Sequence, residues 1–186
     1  MPHPIVVIVP LVLFVLLAGA FLLVLRRAAG VVAETREIEA FRRASADLAA
    51  RIDESLGGVA DRIDAVRRRK IAPEEIRENL DAAADAVLRY GDEAASLNAP
   101  GGLETLRETI ADELARAGRA LEMVEHGCVL LGQQTARPRE LEGETAIKRG
   151  YLNILHARDA IARAAADAGH PGAHAGRRWF SERPPG

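Results

Sequence analysis

Aromatic residues are scarce in this chain: four Phe, two Tyr and one Trp make up 4% of its 186 residues. A core built from it has to be aliphatic, drawn from Leu, Ile, Val and Ala. Cysteine occurs once, at Cys128, which excludes an intrachain disulfide framework and a four-Cys zinc site. No stretch alternates apolar and polar residues over strand length, and neither Asn-Gly nor Asp-Gly occurs to turn a hairpin. Charge of one sign does not dominate either. Lys and Arg number 25 against 27 Asp and Glu, a net −2, which gives no global attraction to nucleic acid or anionic lipid.

The motifs of common chemistries are missing too. There is no Gly-x-Ser-x-Gly for a nucleophilic serine, and neither Gly-x-x-x-x-Gly-Lys nor Gly-x-Gly-x-x-Gly to cradle phosphate. Glu-x-x-His, which a carboxylate-bridged di-iron bundle needs twice, is absent. These absences point away from an enzyme and imply no cofactor.

The most distinctive feature present is an uncharged run over 5–25, IVVIVPLVLFVLLAGAFLLVL. As a helix it would be ~31 Å long, against a bilayer hydrocarbon core of ~30 Å. A secretory signal would have a shorter apolar region behind a basic start, and here no Lys or Arg precedes the run. The sequence therefore predicts a single transmembrane helix near the N-terminus. Arg26 and Arg27 follow it directly, with Arg36, Arg42 and Arg43 beyond. By the positive-inside rule the N-terminus is expected outside and the rest of the chain in the cytoplasm, held at the cell membrane.

Beyond the run, apolar spacing predicts four helices, at about 31–70, 73–98, 102–134 and 138–168, within a domain over 26–169. The first stripe is Val31, Ile38, Phe41, Leu48, Ile52, Leu56, Val59, Ile63 and Val66, close to a heptad and thus also able to drive self-association. Gly57 and Gly58 interrupt it, and a bend or weak point is expected there. The second stripe is Ile76, Leu80, Ala83, Val87, Tyr90, Ala94 and Leu97, started by Pro73 and ended by the breakers Pro100-Gly101-Gly102. The third is Leu103, Leu106, Ile110, Leu114, Ala117, Leu121, Val124, Cys128 and Leu131. The fourth is Leu141, Ile147, Tyr151, Ile154, Leu155, Ile161 and Ala165, stopped by Gly169 and Pro171. Short connections favour antiparallel neighbours. The expected fold is thus all-α: a transmembrane helix, then an up-down-up-down four-helix bundle with a long first helix. A three-helix bundle on a protruding stalk is the alternative. Residues 1–4 and the Gly- and Pro-rich 170–186 read as tails.

Charge divides along the chain. Net charge is +3 over 26–70, −5 over 71–98, −3 over 99–134 and +3 over 135–186. This pattern reads as pairing specificity among helices, although exposed pairs contribute only ~0–1 kcal/mol each.

Few residues are candidates for chemistry. His126 and Cys128 are two apart and so face different ways on a helix; Cys128 falls on the apolar stripe and reads as a small buried hydrophobe. His156 and Asp159 share a face, but a metal site needs more ligands, so no metal site is expected. Arg158 lies on the fourth stripe and, if buried, needs a partner such as Glu122 or Glu125; otherwise it snorkels at the bundle edge. The run Arg67-Arg68-Arg69-Lys70 suits the negative end of a helix better than nucleic acid. Arg177, Arg178, Trp179 and Phe180 in the tail, with Arg26 and Arg27, are candidates for contact with the lipid interface. The resulting expectation is a membrane-anchored, non-enzymatic scaffold or accessory subunit. It would act on an unidentified protein partner or on further copies of itself, and not on nucleic acid. A metal- or redox-responsive sensor using His126, Cys128 and His156 is the alternative.

Overall fold

A computed structural model of the chain describes the backbone over 4–132 and 137–169, and side chains for most of 17–132 and 138–169. Among the described residues the structure is all-helical, without a strand. Helix α1 is Pro4–Arg67, α2 is Arg77–Ser96, α3 is Glu104–Gly132 and α4 is Arg137–Ala168. One 3-10 turn, Pro73–Ile76, leads into α2. The chain forms two units, Met1–Ala40 and Phe41–Gly186.

The first unit contains the early part of α1. Its large apolar side chains described over 17–25 are exposed: Leu17, Phe21, Leu22, Leu23 and Leu25 lie between 49% and 70% accessible. Successive helical residues turn by ~100°, so these side chains point to all sides and define no single buried face. Among the described residues no helix is long and apolar enough to cross a membrane. Most of the run 5–25, over which a span was expected, has its side chains outside the described residues. The tail 170–186 lies outside them altogether. The backbone shows no boundary after the apolar run, because α1 is continuous from Pro4 to Arg67.

The second unit is a helical bundle. Arg51 of α1 pairs with Glu93 of α2, and Arg62 with Asn79, so these two helices are antiparallel. Val87 of α2 lies against Gly118 of α3, and Glu74 against Gly132, again antiparallel. Gly127 of α3 lies against Ile147 of α4, and Val124 against Gly150. Asp53 of α1 meets Arg158 of α4, while Arg42 donates to the Ala168 carbonyl at 2.6 Å, which closes the circuit. Every helix therefore runs against both of its neighbours.

The core is the aliphatic one that the composition dictates. Leu48, Ile52, Leu56 and Ile63 of α1 are fully buried with Ile110, Leu114, Leu121 and Val124 of α3 and Ile147, Ile154 and Ile161 of α4. Each such side chain stabilises the fold by ~1.5–3 kcal/mol relative to exposure. The α1 stripe is buried from Phe41 onward, whereas Ile38 is half-exposed.

Helix α1 continues through Gly57 and Gly58. Gly57 makes room: a Cβ there would stand 3.2 Å from a guanidinium nitrogen of Arg158. Leu141 does not belong to the core, being 62% exposed. The buried face of α4 is Gly143, Ile147, Gly150, Ile154, Ala157, Ile161, Ala164 and Ala168. Its glycines meet the α3 backbone almost directly: a Cβ on Gly150 would fall 2.5 Å from Val124 Cγ2 and 2.7 Å from the Ala120 carbonyl.

Candidate functional site

Among the described residues, clefts lie at the end of the bundle where α1 passes to α2 and α3 passes to α4. Helix α1 stops there through paired backbone bonds, Lys70 N–H to the Ala65 carbonyl and Arg69 N–H to the Val66 carbonyl, each 2.8 Å. This is a Schellman closure, and it places Arg69 in the left-handed region at φ 56°. A side chain there costs roughly 1–2 kcal/mol, which is why glycine usually takes the position. Arg69 offsets part of that cost by pairing with Glu144 at 2.8 Å and Glu140 at 3.3 Å, both on α4. These carboxylates, through hydrogen bonding with Glu144 above all, raise the Arg69 pKa.

The rest of the basic run is also engaged. Arg67 and Arg68 pair with Asp64 at 2.9 and 2.6 Å, and the Arg67 guanidinium lies 4.6 Å from the Tyr151 ring centre. Three of the four cations thus close the end of α1, and two of them, Arg67 and Arg69, tie it to α4. Glu75 caps the next element by accepting the Ala72 N–H at 2.9 Å.

Between the first turn of α2 and the last turns of α3 lies a cleft of about 250 Å³, lined by Pro73, Glu74, Arg77, Leu80, Glu125, Cys128, Val129 and Gly132. Cys128 forms part of its wall and is buried. Burial, and then the nearby charges of Glu74 and Glu125, push its thiol up to about 11. At neutral pH the thiolate, which is the nucleophile and metal ligand, is then only ~10⁻⁴ of the population. Among the described residues its lining has no hydroxyl, amine or imidazole; its other reactive groups are the carboxylates of Glu74 and Glu125 and the guanidinium of Arg77.

The residues singled out in the sequence do not converge on this cleft. His126 is exposed on α3, turned away from Cys128. His156 is exposed on α4, and the contact of Gly127 with Ile147 puts it about eight residues along from the level of His126, ~12 Å. Among the described residues no three His, Cys, Asp or Glu side chains are grouped to hold a metal ion. Arg26 and Arg27 are exposed on α1, and Arg177, Arg178, Trp179 and Phe180 lie outside the described residues. Arg158 is 24% exposed at the α1–α4 edge. Its partner is Asp53 of α1, with Nη2 and Nε at 2.6 and 3.0 Å from one carboxylate oxygen, not Glu122 or Glu125 of α3. Ala157 takes the inward position beside it.

Two features escaped the reading of the sequence. One is the Arg158–Gly57–Asp53 seat, for which the glycine inside an apolar stripe was the available signal. The other is the left-handed Arg69, for which residue type gives no signal. Comparison with protein-family models, with curated proteins and with solved structures finds no match for this chain.

Proposed function

We propose that this protein is a membrane-tethered helical bundle that works by presenting its outer helix faces to other proteins at the cytoplasmic surface. The observation that carries the reading is the uncharged run 5–25, which is continuous in helix α1 with the first helix of the bundle. Leu17, Phe21, Leu22, Leu23 and Leu25 are exposed around the whole helix. Such side chains favour hydrocarbon surroundings, where each Leu or Phe in a spanning segment contributes ~0.3–0.6 kcal/mol. Arg26 and Arg27 at the end of the run favour the cytoplasmic side for the bundle.

A non-catalytic role is favoured by the composition of the bundle. Its interior is aliphatic, and the cleft beside Cys128 offers a thiol held in the protonated form. Binding faces, not a reaction centre, are what such a framework supplies.

Alkaline carbonate extraction of membranes from cells making the full chain tests the tether. The protein should remain in the pellet, and a reporter active only in the cytoplasm should work when fused to the C-terminus. Release into the supernatant removes the tether, and an inactive fusion reverses the orientation.

A further inference from the structure

Helix α2 turns an acidic stripe outward. Glu78, Asp81, Asp85, Leu88 and Asp92 follow one another at alternating steps of three and four, opposite the buried Leu80, Ala83, Val87 and Ala94. All five are exposed, and Leu88 is 70% accessible. Among the described residues none of the four carboxylates has an ion-pair partner. Arg77 and Arg89 lie at the borders of the stripe.

Helix α4 turns outward a stripe of the opposite kind. Leu141, Lys148, Leu152, His156 and Arg163 share its outer face, with Arg149 beside them and Asp159 and Asp167 as interruptions. Leu141 and Leu152 are 62% and 41% exposed. Lys148, Arg149 and Arg163 likewise have no ion-pair partner among the described residues. Each face thus joins exposed leucine to an excess of unpaired charge, acidic on α2 and basic on α4.

Both helices are antiparallel to α1, so they run parallel to each other. Arg51 meets Glu93, and Asp53, two residues on, meets Arg158. Glu93 of α2 and Ala160 of α4 therefore stand at about one level. Counting back along both helices at ~1.5 Å per residue puts Asp81 level with Lys148, and Asp85 level with Leu152. Leu88 and Leu152 then differ in height by only ~5 Å. The two faces lie on opposite sides of the bundle, since α1 and α3 separate α2 from α4.

We infer that the acidic α2 face of one copy docks on the basic α4 face of the next. The occupant is a second copy of this chain because the complementary partner is present on the same molecule, at matching height and in matching direction. The inference rests on the tethered reading in one respect: copies anchored in one membrane share an orientation, which lets the two faces meet without tilting. The contact is heterologous, so each added copy leaves one free face of each kind, and the product is a row or a ring. Opposed charge sets partner and register, while the leucines supply the dry centre.

The test uses the full chain in vesicles, in a Cys128→Ser background, with Leu88→Cys and Leu152→Cys introduced together and a short thiol–thiol crosslinker added. A ladder of dimer, trimer and higher species is expected. Each single cysteine variant should stay monomeric; a dimer from Leu88→Cys alone means that α2 faces pair with each other and overturns the inference. Reversal with D81K and D85K should abolish the ladder, and adding K148E and R149E to the same chain should restore it. A ladder indifferent to the reversal, or no ladder at all, also overturns it. Carbonate extraction of the same vesicles reports the tether separately. If the chain is released yet the charge-dependent ladder forms in solution, the tether fails and the interface stands.

Discussion

Arg69 holds a left-handed backbone so that α1 can close and still reach Glu140 and Glu144. Replacing it by Ala removes both pairs and keeps the backbone cost; replacing it by Gly removes both pairs and the cost. Chemical denaturation should therefore find Arg69→Gly more stable than Arg69→Ala by ~1 kcal/mol. Equal stability of the two would mean that the turn relaxes. At the other edge of α4, Arg158→Ala should cost up to ~1 kcal/mol from its pair with the well-exposed Asp53, with a further loss of stem packing. Glu122→Gln and Glu125→Gln should leave stability unchanged, since neither residue meets Arg158. Cys128 supplies a pH signature. Folding raises its pKa from 9.0 to about 11, chiefly by burial, so between these values the unfolded chain has lost a proton that the folded chain retains. The group is neutral in both states below pH 9, and stability falls as pH rises from 9 toward 11. Thermal melts across that range should show the fall, and Cys128→Ser should lessen it.

At the scale of elements, the α3–α4 seam is set by what glycine omits. Gly127, Gly143 and Gly150 bring the two backbones so close that a Cβ would meet main-chain atoms at 2.7–3.0 Å. Gly150→Ala should destabilise by ~1–3 kcal/mol, because the obstacle includes the Ala120 carbonyl and not only a flexible side chain. Gly91→Ala in α2 is the counterpart, with no atom within 4 Å of the new methyl. It should stabilise by up to ~1 kcal/mol through helix propensity alone. Differential scanning calorimetry of the pair separates propensity from packing, and a stabilising Gly150→Ala would show that the seam can open. The same seam explains why α4 was the helix least legible in the sequence. Its stripe was sought among large apolar residues, which drew in Leu141 and passed over Gly143, Gly150, Ala157 and Ala164. Small residues carry little hydropathy signal but decide how near two helices come. In α1 and α3 the buried positions are mostly Leu, Ile and Val, and there the periodicity names the core.

For the whole molecule, the proposed tether makes a simple demand on α1. A charge in the middle of a spanning segment costs ~2.5–3.5 kcal/mol, and the 5–25 run contains none. Leu17→Arg should shift a measurable share of the chain from the carbonate-resistant pellet to the supernatant, and Leu17→Ile should not. Unchanged partition of the Arg variant would argue that the run is not in lipid. The amino-acid sequence by itself determined the helical class, the aliphatic core and, to within a few residues, where α2, α3 and α4 start and stop. Those follow from local rules: apolar period, proline at starts, glycine and proline at stops. Only the tertiary structure decided that Arg158 turns to Asp53 across Gly57, that α4 seats its glycines on α3, and that Asp81 stands level with Lys148. Each of these depends on the relative height and separation of helices distant in the chain. That is fixed by the packing of side chains against backbones, which no local pattern encodes.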